Sequence, residues 1–302
     1  MNQTSSKEKI EELFFHFFSG IISFLPRSFC LFLGIFLGNL FFFFDSKHRG
    51  IALKNLSLAF GESKPPCEIH RLARSSFRWF GQMLLDTLKF ANLEEEKKAL
   101  LIYIEGKEHL QRALSLRKGV LLFSAHFGNW EAAIYSLSRI GKLNVIARPL
   151  DNRLLEKRLL KLRKNFGTDV IYKQDAVKPV IRKLRSNEMV AILIDQNVLR
   201  SQAVFVDFFG NQAATTPALA AFAVRTESPV LPVFCTPLPG KKYKLVIQPP
   251  VKIDKEETPE TRMLKITQQC TKIIESRIRK SPEYWLWFHN RWKTRPFQEF
   301  SE

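Results

Sequence analysis

The chain has 302 residues, 45% of them hydrophobic, and carries 47 Lys and Arg against 29 Asp and Glu, a formal charge of +18. That length supports one large core with an appendage, and the charge favours an anionic partner: nucleic acid, an anionic membrane face or an acidic protein. No zinc-finger spacing, RNA-binding aromatic motif or repeat accompanies the charge, which argues against nucleic acid, and the four scattered cysteines read as reduced thiols rather than a disulfide framework.

Residues 1–12 are polar. From Leu13 to Phe44 the chain is almost wholly apolar, broken by Ser19-Gly20 and Pro26-Arg27. Ser28 to Phe44 is uncharged and sits at the lower length limit for a bilayer-spanning helix. Cations flank it on both sides, Lys7, Lys9 and Arg27 before and Lys47, Arg49 and Lys54 after, so charge bias does not orient it. No small-residue cleavage site follows Phe41–Phe44. The segment therefore reads as a retained anchor, either one span or two half-inserted helices, with a buried helix pair as the alternative. This divides the chain into a tail and membrane anchor over residues 1–47 and a single folded domain over 48–302.

Gly61 and Pro65-Pro66 turn the chain into an amphipathic helix over about Glu68–Phe90, apolar at Leu72, Phe77, Phe80, Leu84, Leu85 and Leu88. Glu94–Leu101 continues helically, Tyr103-Ile104 with Gly106 predicts a short strand and turn, and residues 107–117 predict another helix. Next comes Val120-Leu-Leu-Phe-Ser-Ala-His126-Phe-Gly-Asn-Trp-Glu131. It reads as an apolar strand, a tight turn holding Gly128, and the start of a helix over 129–139 that stops at Gly141. Further strands are expected at Leu143–Ala147, Asp169–Tyr172 and Met189–Ile194, separated by helices over about Asn152–Asn165 and Val177–Arg185. Val204–Gly210 is strand-like, followed by a loop to Thr215; Thr216 and Pro217 begin a helix through Val224. Pro229–Phe234 and Tyr243–Gln248 are two more strands, and Glu260–Arg279 is a long amphipathic helix before a Trp-rich end. Strands and helices alternating on this spacing predict an α/β fold, a mostly parallel central sheet flanked by helices.

The chemistry-bearing residues fall at strand ends, where open α/β sheets place their reactive groups. His126, at the carboxyl end of its strand, can take a proton from an attacking hydroxyl, and a carboxylate such as Glu131 can hold its tautomer and support the imidazolium. No Ser or Cys of the nucleophile-elbow pattern stands beside it, so the base would act on a substrate hydroxyl. Zinc ligation would need helical i+3 or i+4 spacing and a completing His or Cys cluster, and the sequence has neither, so no metal is expected. The competing interpretation is a hydrogen-bonded scaffold histidine. Arg148 and Asp195-Gln196 lie at other strand ends, while Gly128 lets the backbone approach closely and Asn129 caps the helix or donates a hydrogen bond. The cations between Arg139 and Arg200 are mostly a solvated helix face; as a group they suit an acidic carrier protein or anionic head groups.

The block His126-Phe-Gly-Asn-Trp-Glu131 carries the H-x-x-x-x-[D/E] signature of the glycerolipid and lysophospholipid acyltransferases. Together with Arg148-Pro149, Asp195-Gln196, Phe208-Phe209-Gly210 and the run Tyr284–Pro296, it resembles the late acyltransferases of lipid A biosynthesis. The resemblance implies transfer of an acyl chain from a thioester, on acyl carrier protein or coenzyme A, to a hydroxyl of a lipid A precursor. It implies no covalent enzyme intermediate and no cofactor beyond the thioester co-substrate. On this basis His126 is the expected general base and Glu131 its orienting carboxylate. Arg148, Gly128, Asn129, Asp195 and Gln196 are expected to bind substrate or the oxyanion. The expected location is the cytoplasmic face of the inner membrane. Two alternatives stay open: an acyltransferase for another glycolipid such as a phosphatidylinositol mannoside, and a non-catalytic basic protein of the membrane surface.

Overall fold

In the computed structural model, which describes residues 20–253 and 257–296, helices precede the first strand: α1 (Arg27–Phe44), α2 (Ser46–Phe60), α3 (Pro66–Ala91) and α4 (Glu95–Leu100). The polar tail and the opening of the apolar run, residues 1–19, lie outside the described residues. Asp45 separates α1 from α2 and accepts a hydrogen bond from the His48 N–H at 2.9 Å, the cap of a helix that the sequence pattern did not announce. Arg49, one turn into α2, donates to the Phe42 and Phe43 carbonyls and so closes the end of α1. Pro66 opens α3, whose buried residues Ile69, Leu72, Ala73, Ser76 and Phe77 recur at helical spacing.

The strands β1 (Ile102–Glu105), β2 (Val120–Ser124), β3 (Leu143–Ala147), β4 (Thr168–Tyr172), β5 (Met189–Leu193), β8 (Val230–Leu238) and β9 (Lys242–Ile247) form one seven-stranded sheet in the order β1-β9-β8-β2-β5-β3-β4. Every neighbouring pair is parallel except β8 with β9, so the predicted α/β class holds. The helices α5 (Lys107–Ser115), α6 (Trp130–Ser138), α7 (Arg153–Asn165), α8 (Val177–Arg185), α9 (Ala218–Thr226) and α10 (Pro259–Lys280) flank it. β2 is central and wholly buried, and its alternate side chains feed two separate cores: Leu121 and Phe123 on one face, Val120 and Leu122 on the other.

One expectation fails. The loop expected after the strand-like run Val204–Gly210 is a strand, β7 (Asn211–Thr215), paired antiparallel with β6 (Val204–Phe208) in a separate hairpin. Phe209 and Gly210 turn it with φ of 56° and 73°, the left-handed pair that a two-residue hairpin requires. Asn211-Gln212-Ala-Ala-Thr215 has too few branched or aromatic residues to read as a strand; it is one because Ala213 and Ala214 are fully buried against the core.

Candidate active site

β2 and β5 lie side by side in parallel, with Ser124 opposite Leu193. Carrying that register two residues further puts His126 level with Asp195 at the carboxyl edge of the sheet. The contact follows: His126 Nδ1 is 2.9 Å from Asp195 Oδ1, and the His126 backbone N–H donates to Asp195 Oδ2 at 2.9 Å. A carboxylate only accepts, so Nδ1 carries the proton and the Nε2 lone pair faces away from Asp195. The Gln196 amide nitrogen lies 3.4 Å from Nε2. Trp285, on the carboxyl-terminal run, donates its indole N–H to Asp195 Oδ2 at 2.7 Å. Burial opposes the Asp195 charge, but His126, the Trp285 indole and the His126 backbone N–H outweigh it and hold the carboxyl at about 2. Asp195 is therefore an anion at any working pH.

The turn after β2 is clamped from two sides. Gly128 N–H donates to the Tyr284 carbonyl at 2.9 Å, Asn129 N–H to the Cys235 carbonyl at 2.8 Å, and Leu286 N–H to the His126 carbonyl at 3.1 Å. Gly128 has φ +64°, and a Cβ built there would stand 1.9 Å from the Cys235 carbonyl oxygen. Its smallness serves packing against β8. Gly128→Ala should thus destabilise the fold by at least about 2 kcal/mol from αL strain and backbone displacement, read as a lowered midpoint in urea unfolding. Asn129 takes the helix-capping option: its Oδ1 accepts from the Ala132 N–H at 3.0 Å. The Trp130 and Glu131 N–H groups of the same first turn have no protein acceptor among the described residues.

Glu131 does not meet His126. Its carboxylate forms a two-pronged ion pair with Arg163 on α7, Nη2 to Oε1 at 2.6 Å and Nε to Oε2 at 3.2 Å, with both side chains largely buried. Asn129 caps α6, so Glu131 is the second helical residue, and its side chain projects to the α7 side rather than back over the strand end. The expected pairing of His126 with Glu131 is thus replaced by one with Asp195. Arg148 is also away from the dyad: its side chain is 78% exposed and paired with Asp151 at 2.6 Å. Asp195 and Gln196 are the two expected site residues that the fold brings onto His126. Trp285 was missed; the Trp-rich end carried a family resemblance but no sign of which ring faces the dyad.

His126 keeps 21% of its side chain exposed. It borders a narrow crevice of about 10 Å³, walled by Ser76, Trp79, Phe80 and Met83 of α3 and by Trp130, Tyr284, Trp285 and Leu286. The wall is mostly apolar. Trp79 donates to the Gly128 carbonyl at 3.4 Å, and the Trp130 ring meets the imidazole edge-on at 5.2 Å. A cleft lined by Lys178, Arg182, Arg185 and Arg225 lies elsewhere, between α8 and α9.

Buried polar groups back the dyad. Arg291 is 1% exposed and donates to the Ala214 carbonyl and the Thr215 hydroxyl, tying the hairpin to the site; burial lowers its pKa to about 10, still charged at neutral pH. His289 is pulled down to about 4 by burial, with no partner on Nδ1 among the described residues. Its unfolded value near 6.5 lies above the folded one, so the unfolded chain binds the extra proton first and stability falls as pH drops from about 6.5 to about 4. The loss from this residue is on the order of 2–3 kcal/mol. Asp195 loses its own contribution only lower, from about pH 4 toward 2. A flatter decline of thermal midpoint between pH 6.5 and 4 in His289→Gln is the expected result.

An imidazole–carboxylate pair at the rim of a parallel α/β sheet is an arrangement that suits acyl transfer, and similarity to known proteins places the chain among the acyltransferases. Within that class the chain belongs to the bacterial lipid A biosynthesis acyltransferase family, whose family model matches residues 7–294. It is 28% identical over 269 residues to a lipid A biosynthesis lauroyltransferase of Escherichia coli, covering 87% of this chain and 85% of the relative. To the lipid A biosynthesis palmitoleoyltransferase of the same organism it is 26% identical over 279 residues, 92% and 89% of the two chains. A phosphatidylinositol mannoside acyltransferase of Mycobacterium tuberculosis is 25% identical over 247 residues, 79% and 75%.

Proposed function

We propose that the protein transfers a fatty acyl chain from a thioester, on acyl carrier protein or coenzyme A, to a hydroxyl of a lipid A precursor at the cytoplasmic face of the inner membrane. The observation that carries this reading is His126, its Nδ1 held by a buried anionic Asp195 and its Nε2 turned into an apolar crevice. Nε2 takes the proton of the acceptor hydroxyl as its oxygen bonds to the thioester carbonyl carbon. The tetrahedral oxyanion then collapses, the carbon–sulfur bond breaks, and the imidazolium returns its proton to the leaving thiolate. Asp195 supports the imidazolium without being protonated, and general-base work of this kind is worth about 10²–10⁴-fold. The Gln196 amide and the free N–H groups of Trp130 and Glu131, at the positive end of α6, supply donors for the developing oxyanion. The acyl chain enters along the crevice wall formed by α3. Glu131 holds α6 against α7 through Arg163 and takes no part in the chemistry.

The test is purified enzyme given acyl carrier protein and coenzyme A thioesters with a panel of lipid acceptors, read by mass spectrometry. His126→Ala should abolish transfer with folding and membrane association intact, and full turnover by that variant would remove the catalytic assignment. The likeness to a phosphatidylinositol mannoside acyltransferase favours a second acceptor class, and acylation of that lipid in preference to a lipid A precursor would select it.

A further inference from the structure

α1 is long and apolar enough to cross a membrane, 18 residues at a mean hydropathy of 1.8, yet both of its ends are fastened to the same folded body. At its start, Arg27 grips the buried Asp86 of α3 with two hydrogen bonds, Nε to Oδ1 at 2.6 Å and Nη2 to Oδ2 at 2.7 Å, and Asp86 also accepts from the Tyr243 hydroxyl of β9. Arg27 donates as well to the Lys241 carbonyl, and Lys241 reaches back to the Ser28 hydroxyl. At its finish, Arg49 of α2 holds the Phe42 and Phe43 carbonyls, and the Phe41 ring packs on Phe77 and Phe288. Between the ends α1 and α3 touch backbone to backbone. A Cβ at Gly34 would lie 2.5 Å from Gln82 Cα, one at Gly38 2.3 Å from the Phe77 carbonyl oxygen, and one at Gly81 2.3 Å from the Gly34 carbonyl oxygen.

A helix that crosses a bilayer has its ends in different aqueous compartments. α1 cannot do so while Arg27 and Phe43 are both bound to one domain, unless α3 crosses beside it. α3 is unsuited to crossing: Arg71, Arg74 and Arg78 stand exposed over its first half, charges within a spanning segment are costly, and among the described residues only α1 is long and apolar enough to cross. Meanwhile the face of α1 turned away from α3 is a row of half-exposed rings, Phe29, Phe32, Phe36 and Phe43, at 46, 64, 50 and 56%. Their spacing keeps them on one stripe, and a stripe of this kind is not left in water. Arg74 borders it, its guanidinium 5.2 Å over the Phe43 ring.

We propose that α1 lies flat in one leaflet as an interfacial helix, its phenylalanine stripe among the acyl chains and the α3 arginines at the lipid phosphates. An apolar stripe edged by cations is the pattern that fits an anionic lipid surface, and a second copy of this equally basic chain fits it less well. The inference does not depend on which residues catalyse. Because α3 is one wall of the His126 crevice, this seating brings the crevice to the lipid surface.

The test uses the full chain in native membranes, with Cys67→Ser removing the exposed thiol and the other three cysteines buried. Ser28→Cys with Lys241→Cys, treated with a short bismaleimide, is expected to give an intramolecular cross-link found by peptide mass spectrometry. A spanning α1 would leave the two positions on opposite sides of the bilayer. No cross-link, with each thiol labelling singly, overturns the proposal. Separately, Phe32→Ser/Phe36→Ser/Phe43→Ser should weaken co-sedimentation with phosphatidylglycerol–phosphatidylethanolamine vesicles by at least about tenfold without altering oligomeric state. Unchanged vesicle binding with loss of self-association would make the stripe a protein interface and also overturn it.

Discussion

Asp195→Asn is expected to lower kcat by about 10³–10⁴-fold while leaving the fold standing. The isostere keeps the shape of the side chain but removes the charge and one of its accepting oxygens. Asp195 receives three donors: His126 Nδ1–H, the His126 backbone N–H and the Trp285 indole N–H. An asparagine has a single accepting oxygen, and its amide hydrogens would face imidazole Nδ1 or the indole as donor against donor. The imidazole then gains by moving its proton to Nε2, which is the atom proposed to act as base. KM should change little, since no acyl or acceptor contact is lost. Steady-state kinetics on folded enzyme checks this, with Glu131→Gln as comparison: kcat per folded molecule there should stay within about tenfold of wild type. If the two variants exchanged these outcomes, the orienting carboxylate would be Glu131.

The strand on which His126 ends was legible because Val120-Leu-Leu-Phe is too apolar to be anything but central, and Gly128 and Asn129 mark the turn and cap that follow. Its partner was harder to read. His126 and Asp195 stand 69 residues apart and touch only because β5 inserts between β2 and β3 in the sheet. Periodicity finds strands but not their order, so the nearest carboxylate in sequence, Glu131, took the role that belongs to a neighbour in space. Arg148 shows the same limit: it is at the same edge of the sheet, two strands from β2, and points to solvent. The basic run hid a second case. Most of its members are the solvated face they resemble, but Arg163 is a buried partner for a buried carboxylate, and no pattern of charges in α7 distinguishes it. α1 was legible as apolar but not as docked, because Gly34 and Gly38 make sense only beside Gly81.

Removing either member of the Glu131–Arg163 pair is expected to cost stability rather than chemistry. With 8 and 11% of the two side chains exposed, each ion depends on the other for most of its solvation. Deleting one leaves a charge in a low-dielectric pocket between α6 and α7, a loss of about 3–5 kcal/mol. For a domain of this size each kcal/mol moves the thermal midpoint by about 2–4 °C. Glu131→Gln should lose the smaller part of that range, because the amide oxygen still accepts from Arg163. Glu131→Leu and Arg163→Met should each lose the larger part. The double variant Glu131→Leu/Arg163→Met should recover most of the loss, since an apolar pair carries no desolvation cost, and the recovery is the coupling energy of the pair. Thermal unfolding of the four proteins measures it, and turnover per folded molecule in the same samples separates the roles. A bridge that merely holds α6 against α7 predicts that the double variant, once refolded to near wild-type stability, regains turnover. A Glu131 that touches substrate predicts a stable double variant with turnover still lost by more than about 10²-fold.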